Sequence, residues 1–157
     1  MGGKRSEGLD RLDVLVGDWV MTASVAGQTT VDARVRMEWI EQGRFLLQRA
    51  DADAPRADAP RAWHDNFPFP TTMVIGYDDH SGTYSVLYAD GRGVSRAYRM
   101  SLEGRTWTIW GQAAPEFFQR FVGTIAEDGA VVAGRWERSS DGESWENDFD
   151  GTYTRVS

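Results

Sequence analysis

Residues 30–40 read Thr-Val-Asp-Ala-Arg-Val-Arg-Met-Glu-Trp-Ile. Apolar side chains occupy every odd position from Val31 to Trp39, and polar or charged side chains occupy the even positions between them. Because successive side chains of a β-strand point to opposite faces, this alternation predicts a strand with one buried face and one face in water. The odd-numbered residues, Trp39 included, are expected to face the interior of the protein.

Stretches of similar composition fill much of the chain, separated by turn sequences such as Asp90-Gly91, Asp128-Gly129 and Asp141-Gly142. Val, Thr, Tyr, Phe and Trp favour pleated strands, whereas Gly and Asp tolerate the backbone angles of hairpin turns. The pattern predicts about ten strands, at residues 18–26, 29–41, 43–51, 72–78, 83–90, 93–101, 105–113, 117–126, 130–139 and 144–156.

Most of these strands follow one another with short connections, which predicts an all-β fold built as an antiparallel up-and-down meander. A meander of this length most simply hides its edges by closing into a β-barrel, and a β-sandwich is the alternative architecture. An apolar stripe over Gly8–Val16 predicts one short N-terminal helix. We expect residues 1–8 to be a flexible N-terminus and residues 9–157 to form a single barrel domain.

The composition limits the classes of function. The chain has 157 residues, of which 41% are hydrophobic, with seven Trp and no Cys. The absence of Cys excludes disulfides, thiolate metal sites and Cys nucleophiles. The net charge of −7 argues against nucleic acid and anionic membranes as partners, and no apolar run approaches the ~20 residues of a membrane-spanning helix. The sequence predicts a cytoplasmic protein, either a monomer or a homodimer.

One segment interrupts the regular spacing of strands. Residues 52–61 contain the pentapeptide Ala-Asp-Ala-Pro-Arg twice in succession, and residues 62–70 carry the aromatic side chains Trp63, Phe67 and Phe69. A duplicated, Pro-containing pentapeptide is typical of a solvated loop, whereas loops of this length are often functional. The segment 52–70 is therefore either a long loop without a role or a lid over the mouth of the barrel.

Sequence signals for catalysis or metal binding are few. The two histidines, His64 and His80, fall in the Pro-rich segment and in a hairpin turn, where side chains are usually exposed. The acidic stretch 141–150 lacks the Asp-x-Asp-x-Asp-Gly spacing of a calcium loop, and no Gly-rich phosphate loop or nucleophile motif occurs. We assign no catalytic residue and expect neither a metal nor another cofactor.

The strand faces predicted to point inward combine aromatic rings with one cation. A buried, unpaired Arg is costly, so an inward Arg96 would be expected to orient an acidic group of a ligand. The alternative is that Arg96 points to solvent, because a shift of one residue reverses every side chain of a strand. Residues 117–122 cannot be oriented, since both of their faces are partly apolar. The predicted ligand-binding residues are Trp39, Tyr84, Tyr88, Arg96, Tyr98 and Trp107.

The sequence Gly17-Asp18-Trp19 at the start of the first strand resembles the opening of calycin-type barrels, the group of the lipocalins and fatty-acid-binding proteins. In that group an Arg of the last strand commonly lies over this Trp and closes one end of the barrel. The resemblance implies the same contact for Arg155, supported by cation–π attraction. It assigns Trp19 and Arg155 to structure rather than to ligand binding.

Further motifs resemble a bacterial family of uncharacterised β-barrels, common in actinobacteria and distantly similar to nitrobindin. The resemblance extends over the chain from Leu9 and implies a small hydrophobic ligand, but no particular reaction. Nitrobindin-type haem binding needs an axial His from a strand, and none of the predicted strands has one. Asn147 stands where relatives often carry His, which disfavours haem. The motifs are Ile75-Gly76-Tyr77-Asp78, Gly82-Thr83-Tyr84, Gly93-Val94, Tyr98, Gly134-Arg135-Trp136-Glu137 and Trp145-Glu146-Asn147-Asp148-Phe149-Asp150.

These observations predict a protein that binds a small apolar or aromatic molecule in the lumen of a barrel, as a carrier or a sensor. One alternative is a cofactor-free cyclase or isomerase for a hydrophobic, natural-product-like substrate, in which Tyr hydroxyls and Arg96 stabilise developing charge. A weaker alternative is haem binding of the nitrobindin type.

Overall fold

The computed structural model describes residues 5–157 and contains one closed, antiparallel β-barrel of ten strands. Each strand pairs with the next along the chain, and β1 pairs with β10 to close the barrel. The predicted barrel is confirmed, and the sandwich alternative is wrong. The strands are β1 Gly17–Val25, β2 Gln28–Ile40, β3 Phe45–Asp51, β4 Thr71–Asp78, β5 Thr83–Asp90, β6 Ser95–Glu103, β7 Thr106–Ala114, β8 Phe117–Ile125, β9 Val131–Ser139 and β10 Glu146–Arg155.

Strand β2 follows the alternation read from the sequence. Its residues Val31, Ala33, Val35 and Met37 are buried, and the charged residues between them are exposed. The pattern weakens at Trp39, which is only half-buried although it is still paired with Leu46 of β3. Burial of one face of β2 is thus the direct consequence of its period-two sequence.

The N-terminal helix is shorter than predicted and changes type. Helix α1 spans Glu7–Asp10 and continues as a 3₁₀-helix over Arg11–Leu15, where Leu12 and Leu15 are completely buried. Ser6 begins α1, because its hydroxyl accepts a hydrogen bond from the amide of Leu9. Of the N-terminus expected to be flexible, residues 1–4 lie outside the described residues, and Glu7 and Gly8 belong to α1.

Arg155 and Trp19 form the closed end of the barrel. The guanidinium of Arg155 lies 4.1 Å from the centre of the Trp19 ring and donates to the carbonyls of Val14 and Val16, each at 2.6 Å. A Cβ on Gly17, which has a φ of +138°, would lie 2.5 Å from Arg155 Nη1. A side chain at position 17 would therefore displace the guanidinium from the ring.

None of the helices in residues 5–157 is long and apolar enough to cross a membrane.

Candidate functional site

A cavity of about 480 Å³ occupies the lumen towards the end of the barrel opposite Trp19. Side chains from nine of the ten strands line it; β7 contributes none. Small residues on the inner faces of the strands, such as Ala50 and Gly151, leave this space open. The other end of the lumen is filled by large buried side chains, among them Trp107 and Ile109.

The Pro-rich segment lies over the open end of the barrel. It contains helix α2, Arg61–Asp65, and its Trp63 ring packs edge-on against the Phe149 ring of β10 at 5.0 Å. Trp63 and Phe69 also line the cavity. The segment ends against the β5–β6 turn, where the amide of Gly91 donates to the carbonyl of Pro68 at 2.9 Å. The aromatic half of the segment thus covers the cavity.

The first copy of the pentapeptide is attached to the barrel wall. The amide of Arg56 donates to the carbonyl of Thr30 at 2.7 Å, and its guanidinium pairs with Asp32 at 2.6 Å. Ala59, in the second copy, is buried. The duplicated stretch is therefore attached to β2, although most of its side chains are exposed.

Arg96 lines the cavity and is partly buried, so the inward alternative is the one that the structure contains. Its Nη1 donates to Gln119 Oε1 at 2.8 Å, and the hydroxyl of Tyr98 donates to the same oxygen at 2.6 Å. No carboxylate among residues 5–157 lies within 4 Å of the Arg96 guanidinium. The hydrogen-bond partners of the Arg96 guanidinium are thus neutral and do not compensate its positive charge.

The orientation of β8 follows from its pairing with β7 and β9. Phe117, Gln119 and Phe121 face the lumen and line the cavity. The sequence could not decide this, because the opposite face is also partly apolar. Gln119 is consequently a site residue that the sequence analysis missed.

The side chains of Tyr88, Asp90 and Arg92 form a second hydrogen-bonded polar group, next to that of Arg96. The hydroxyl of Tyr88 donates to Asp90 Oδ2 at 2.7 Å, and Arg92 Nη2 donates to the same oxygen at 2.7 Å. Burial alone would raise the pKa of the Asp90 carboxyl, but the hydrogen bonds from Arg92 and Tyr88 outweigh it and lower that pKa. Asp90 is therefore ionised and neutralises Arg92.

Burial keeps the two tyrosine hydroxyls of this region protonated. It raises the pKa of Tyr88 well above the ordinary Tyr value, and the hydrogen bond to Asp90 raises it further. Burial also raises the pKa of Tyr98, an effect that Arg96 opposes in part. Both groups are hydrogen-bond donors at neutral pH.

The floor of the cavity carries Gln48 of β3 and Tyr153 of β10. Gln48 is 4% exposed, and its Oε1 has no hydrogen-bond partner. Burial raises the pKa of Tyr153 to about 12, and the neighbouring Gln48 amide opposes part of that rise. Neither residue was predicted from the sequence as a site residue, although Gln48 is the one polar member of the buried alternation Leu46, Gln48 and Ala50.

The structure brings together three of the six predicted ligand-binding residues, Tyr88, Arg96 and Tyr98, all of which line the cavity. Trp107 does not line it: this ring is fully buried between Phe121 and Tyr153 in the filled part of the lumen. Its role is packing, which corrects the prediction for Trp107.

Trp39 and Tyr84 also lie away from the cavity, beside the N-terminal helices. Trp39 Nε1 donates to Asp13 at 2.9 Å, and the hydroxyl of Tyr84 donates to the carbonyl of Gly8 at 2.6 Å. Both side chains attach the N-terminal segment to the barrel. The prediction that they contact a ligand in the lumen is corrected accordingly.

Neither histidine reaches the cavity. His64 lies in α2 and His80 in the β4–β5 turn, and both are exposed. The residues present therefore do not fit a His-ligated haem. Residues 5–157 contain no cluster of three or more His, Cys, Asp or Glu side chains arranged to hold a metal ion. The Asp141 carboxylate accepts hydrogen bonds from the amides of Glu143 and Ser144, as in a turn.

Asp148 is the acidic group of the cavity lining. Burial raises its pKa, Glu146 adds to the rise and Arg138 opposes it. Arg138 Nη1 is 3.9 Å from Asp148 Oδ1, while Arg138 Nε is 2.8 Å from Glu146 Oε1. The pKa of the Asp148 carboxyl is thus above that of an ordinary Asp.

Comparison with known proteins identifies the architecture. No family model and no curated protein matches the chain. Among solved structures, the crystal structure of Rv2717c from M. tuberculosis matches with a TM-score of 0.58. The two chains share a fold. Their sequences are 15% identical, and the match covers 98% of this chain and 100% of Rv2717c.

Proposed function

We propose that the barrel binds a small aromatic or apolar molecule that carries an anionic group, and that it acts as a carrier or sensor of this molecule. The observation that carries the proposal is Arg96, a cation inside a largely apolar cavity with only neutral hydrogen-bond partners. Arg96 is partly buried. A charge that is partly removed from water and has no counter-charge is unfavourable, and an anionic ligand would supply that counter-charge.

The charges of the lining favour the same ligand. Arg92 is neutralised by Asp90, and Arg138 lies between Glu146 and Asp148. Arg96 is therefore the lining cation that has no carboxylate partner among residues 5–157, in a chain that as a whole carries −7. A carboxylate, sulfonate or enolate at Arg96 would also receive a hydrogen bond from a guanidinium that is already oriented by Gln119.

The size and chemistry of the cavity support an organic ligand rather than an inorganic anion. A volume of about 480 Å³ falls in the ordinary range for small-molecule sites. Tyr88, Tyr98, Trp136 and Phe149 offer ring faces and edges, which provide contact area with little loss of side-chain entropy. Trp63 and Phe69 would exclude water from the bound molecule.

The experiment is a calorimetric titration with biphenyl-4-carboxylate, a rigid two-ring acid. We expect a stoichiometry of one and a Kd on the order of 10–100 μM, as the ligand efficiency of a compound of this size implies. Gly151→Leu would fill the lumen, because a Cβ at this position meets only Met21 Sδ, at 3.8 Å. The matched control is Thr152→Leu, which adds the same side chain on the outer face of β10.

Loss of binding in Gly151→Leu with retention in Thr152→Leu would support a ligand site in the lumen. Equal binding by the two variants, or no binding to the native chain, would end this proposal. Native mass spectrometry of the purified protein provides an independent measurement, since a co-purified acid would appear as an added mass that Gly151→Leu lacks.

The cyclase or isomerase alternative is favoured by one observation: Arg96 Nη1 and the Tyr98 hydroxyl, groups that can donate hydrogen bonds, lie 3.5 Å apart in one region of the lumen. Such donors could stabilise an enolate formed from a ketone. Deuterium exchange of the α-protons of 2-tetralone, followed by NMR in D₂O, tests it. Exchange above the buffer rate that is lost in Tyr98→Phe would favour an enzyme, and exchange at the buffer rate would reject this alternative.

A further inference from the structure

Two buried side-chain atoms among residues 5–157 have no hydrogen-bond partner, Gln48 Oε1 and Trp107 Nε1. Trp107 does not line the cavity, whereas Gln48 does. A buried amide oxygen without a donor is unfavourable, and such groups in native proteins are rare. Gln48 Oε1 thus accepts no hydrogen bond from residues 5–157, although the Tyr153 hydroxyl lies beside the same amide.

The paired neighbours of Gln48 on the adjacent strands do not supply a hydrogen-bond donor to its amide oxygen. Its neighbours in the strand register are Met37 on β2 and Met73 on β4, neither of which offers a side-chain donor. A simple apolar core would place a Leu or Met at position 48, as at Leu46 on the same face of β3. Gln48 is therefore a polar group on the cavity wall, with Tyr153 as its polar neighbour.

Gln48 and Arg96 lie at the two ends of one row of paired residues. Gln48 pairs with Met73, Met73 with Tyr88, and Tyr88 with Arg96. Three spacings between neighbouring strands separate the ends, roughly 14 Å along the curved wall. The side chains converge across the lumen, so a molecule of two or three rings could contact both ends.

We propose that the ligand carries a hydroxyl group at the end remote from its anionic group, and that this hydroxyl donates to Gln48 Oε1. The inference rests on the proposed function and names the class of molecule: a hydroxylated aromatic or polycyclic acid. The terminal amide torsion of Gln is broad, so the Gln48 amide can turn to meet the ligand. Tyr153, beside Gln48, adds a second polar group to this end of the site.

The experiment compares two probes that differ by one oxygen, biphenyl-4-carboxylate and 4′-hydroxybiphenyl-4-carboxylate, by calorimetric titration. With the native chain the hydroxylated probe should bind roughly three- to tenfold more tightly, the gain expected for one net hydrogen bond. Gln48→Met, which is similar in size and cannot accept this bond, should lose the preference. Gln112→Met, at an exposed Gln on β7, is the matched control and should retain it.

The outcomes separate the two proposals. Equal affinity for both probes in the native chain, or the same preference in Gln48→Met, would overturn the hydroxyl inference and leave the proposed function standing. Failure of both probes to bind would overturn both. Gln48→Met should fold, because it replaces an unpaired buried amide with a thioether, and its circular dichroism spectrum checks this. If that spectrum shows an unfolded chain, the native comparison of the two probes alone decides.

Discussion

Gln119 holds the guanidinium of Arg96 without neutralising it. The single oxygen Gln119 Oε1 accepts from Arg96 Nη1 at 2.8 Å and from the Tyr98 hydroxyl at 2.6 Å. A carboxylate at position 119 would make the same two hydrogen bonds and would remove the net positive charge. The neutral amide therefore leaves the cation oriented and available to a ligand.

This arrangement predicts the effect of Gln119→Glu. The introduced carboxylate would pair with Arg96, so biphenyl-4-carboxylate should bind at least about tenfold more weakly. Calorimetry measures the change, and Gln112→Glu adds the same charge at an exposed position of β7 as a control. Unchanged affinity in Gln119→Glu would contradict the assignment of Arg96 as the anion-binding group.

The raised pKa of Asp148 predicts a pH dependence of binding. An ionised Asp148 repels an anion in the cavity, so protonating it should strengthen binding as the pH falls through the weakly acidic range above the ordinary Asp value of about 4. The probe is 1-anilinonaphthalene-8-sulfonate, because its sulfonate stays ionised there. Its fluorescence titration should show affinity rising roughly threefold.

Asp148→Asn should bind the sulfonate with the tighter affinity at every pH. Asp150→Asn removes one negative charge two residues away, outside the cavity lining, and should keep the native pH dependence. A native chain whose affinity does not change with pH, or an Asp148→Asn variant that still shows the full change, would place the responsible group elsewhere.

The position of Trp63 on Phe149 predicts that the segment over the mouth limits exchange of the ligand. Trp63→Ala removes the ring that packs at 5.0 Å against β10 and should increase the dissociation rate of the bound probe roughly tenfold. Stopped-flow displacement measures this rate. Arg61→Ala, at a solvent-exposed side chain of the same helix, is the control. Equal dissociation rates in the two variants would show that the segment does not act as a lid.

The contacts of Arg155 at the closed end of the barrel predict that substituting this residue lowers the stability of the fold strongly. Arg155→Met leaves the carbonyls of Val14 and Val16 without this donor and removes the charge over Trp19. The free energy of unfolding should fall by about 3 kcal/mol, as measured by urea denaturation followed by Trp fluorescence. Arg49→Met, at an exposed position of β3, should change it by less than about 0.5 kcal/mol. If the free energy of unfolding of Arg155→Met falls by less than about 1 kcal/mol, the contacts of Arg155 contribute little to stability.

Period-two alternation was sufficient to predict the strands of this protein. All ten observed strands begin and end within two residues of the predicted positions. Alternation also predicted the inward direction of Tyr88 and Tyr98. It succeeds because the inner and outer faces of a barrel wall differ sharply in polarity, and every strand contributes to both.

Alternation did not predict how far along the barrel axis each inward-facing residue lies. Trp39, Tyr84 and Trp107 belong to the inward-facing rows, but they lie towards the filled end and not at the cavity. Alternation gives the face of a strand that a residue occupies and not its distance from the mouth. Gln119 was missed for another reason: only the pairing of β8 with its neighbours determines which of its two faces points inward.

The most direct measurement is the crystal structure of the protein with bound biphenyl-4-carboxylate. We expect the two rings to occupy the lumen beneath Trp63, with the carboxylate within hydrogen-bond distance of Arg96. A probe bound on the outer wall, or a probe in the lumen whose carboxylate lies away from Arg96, would contradict it.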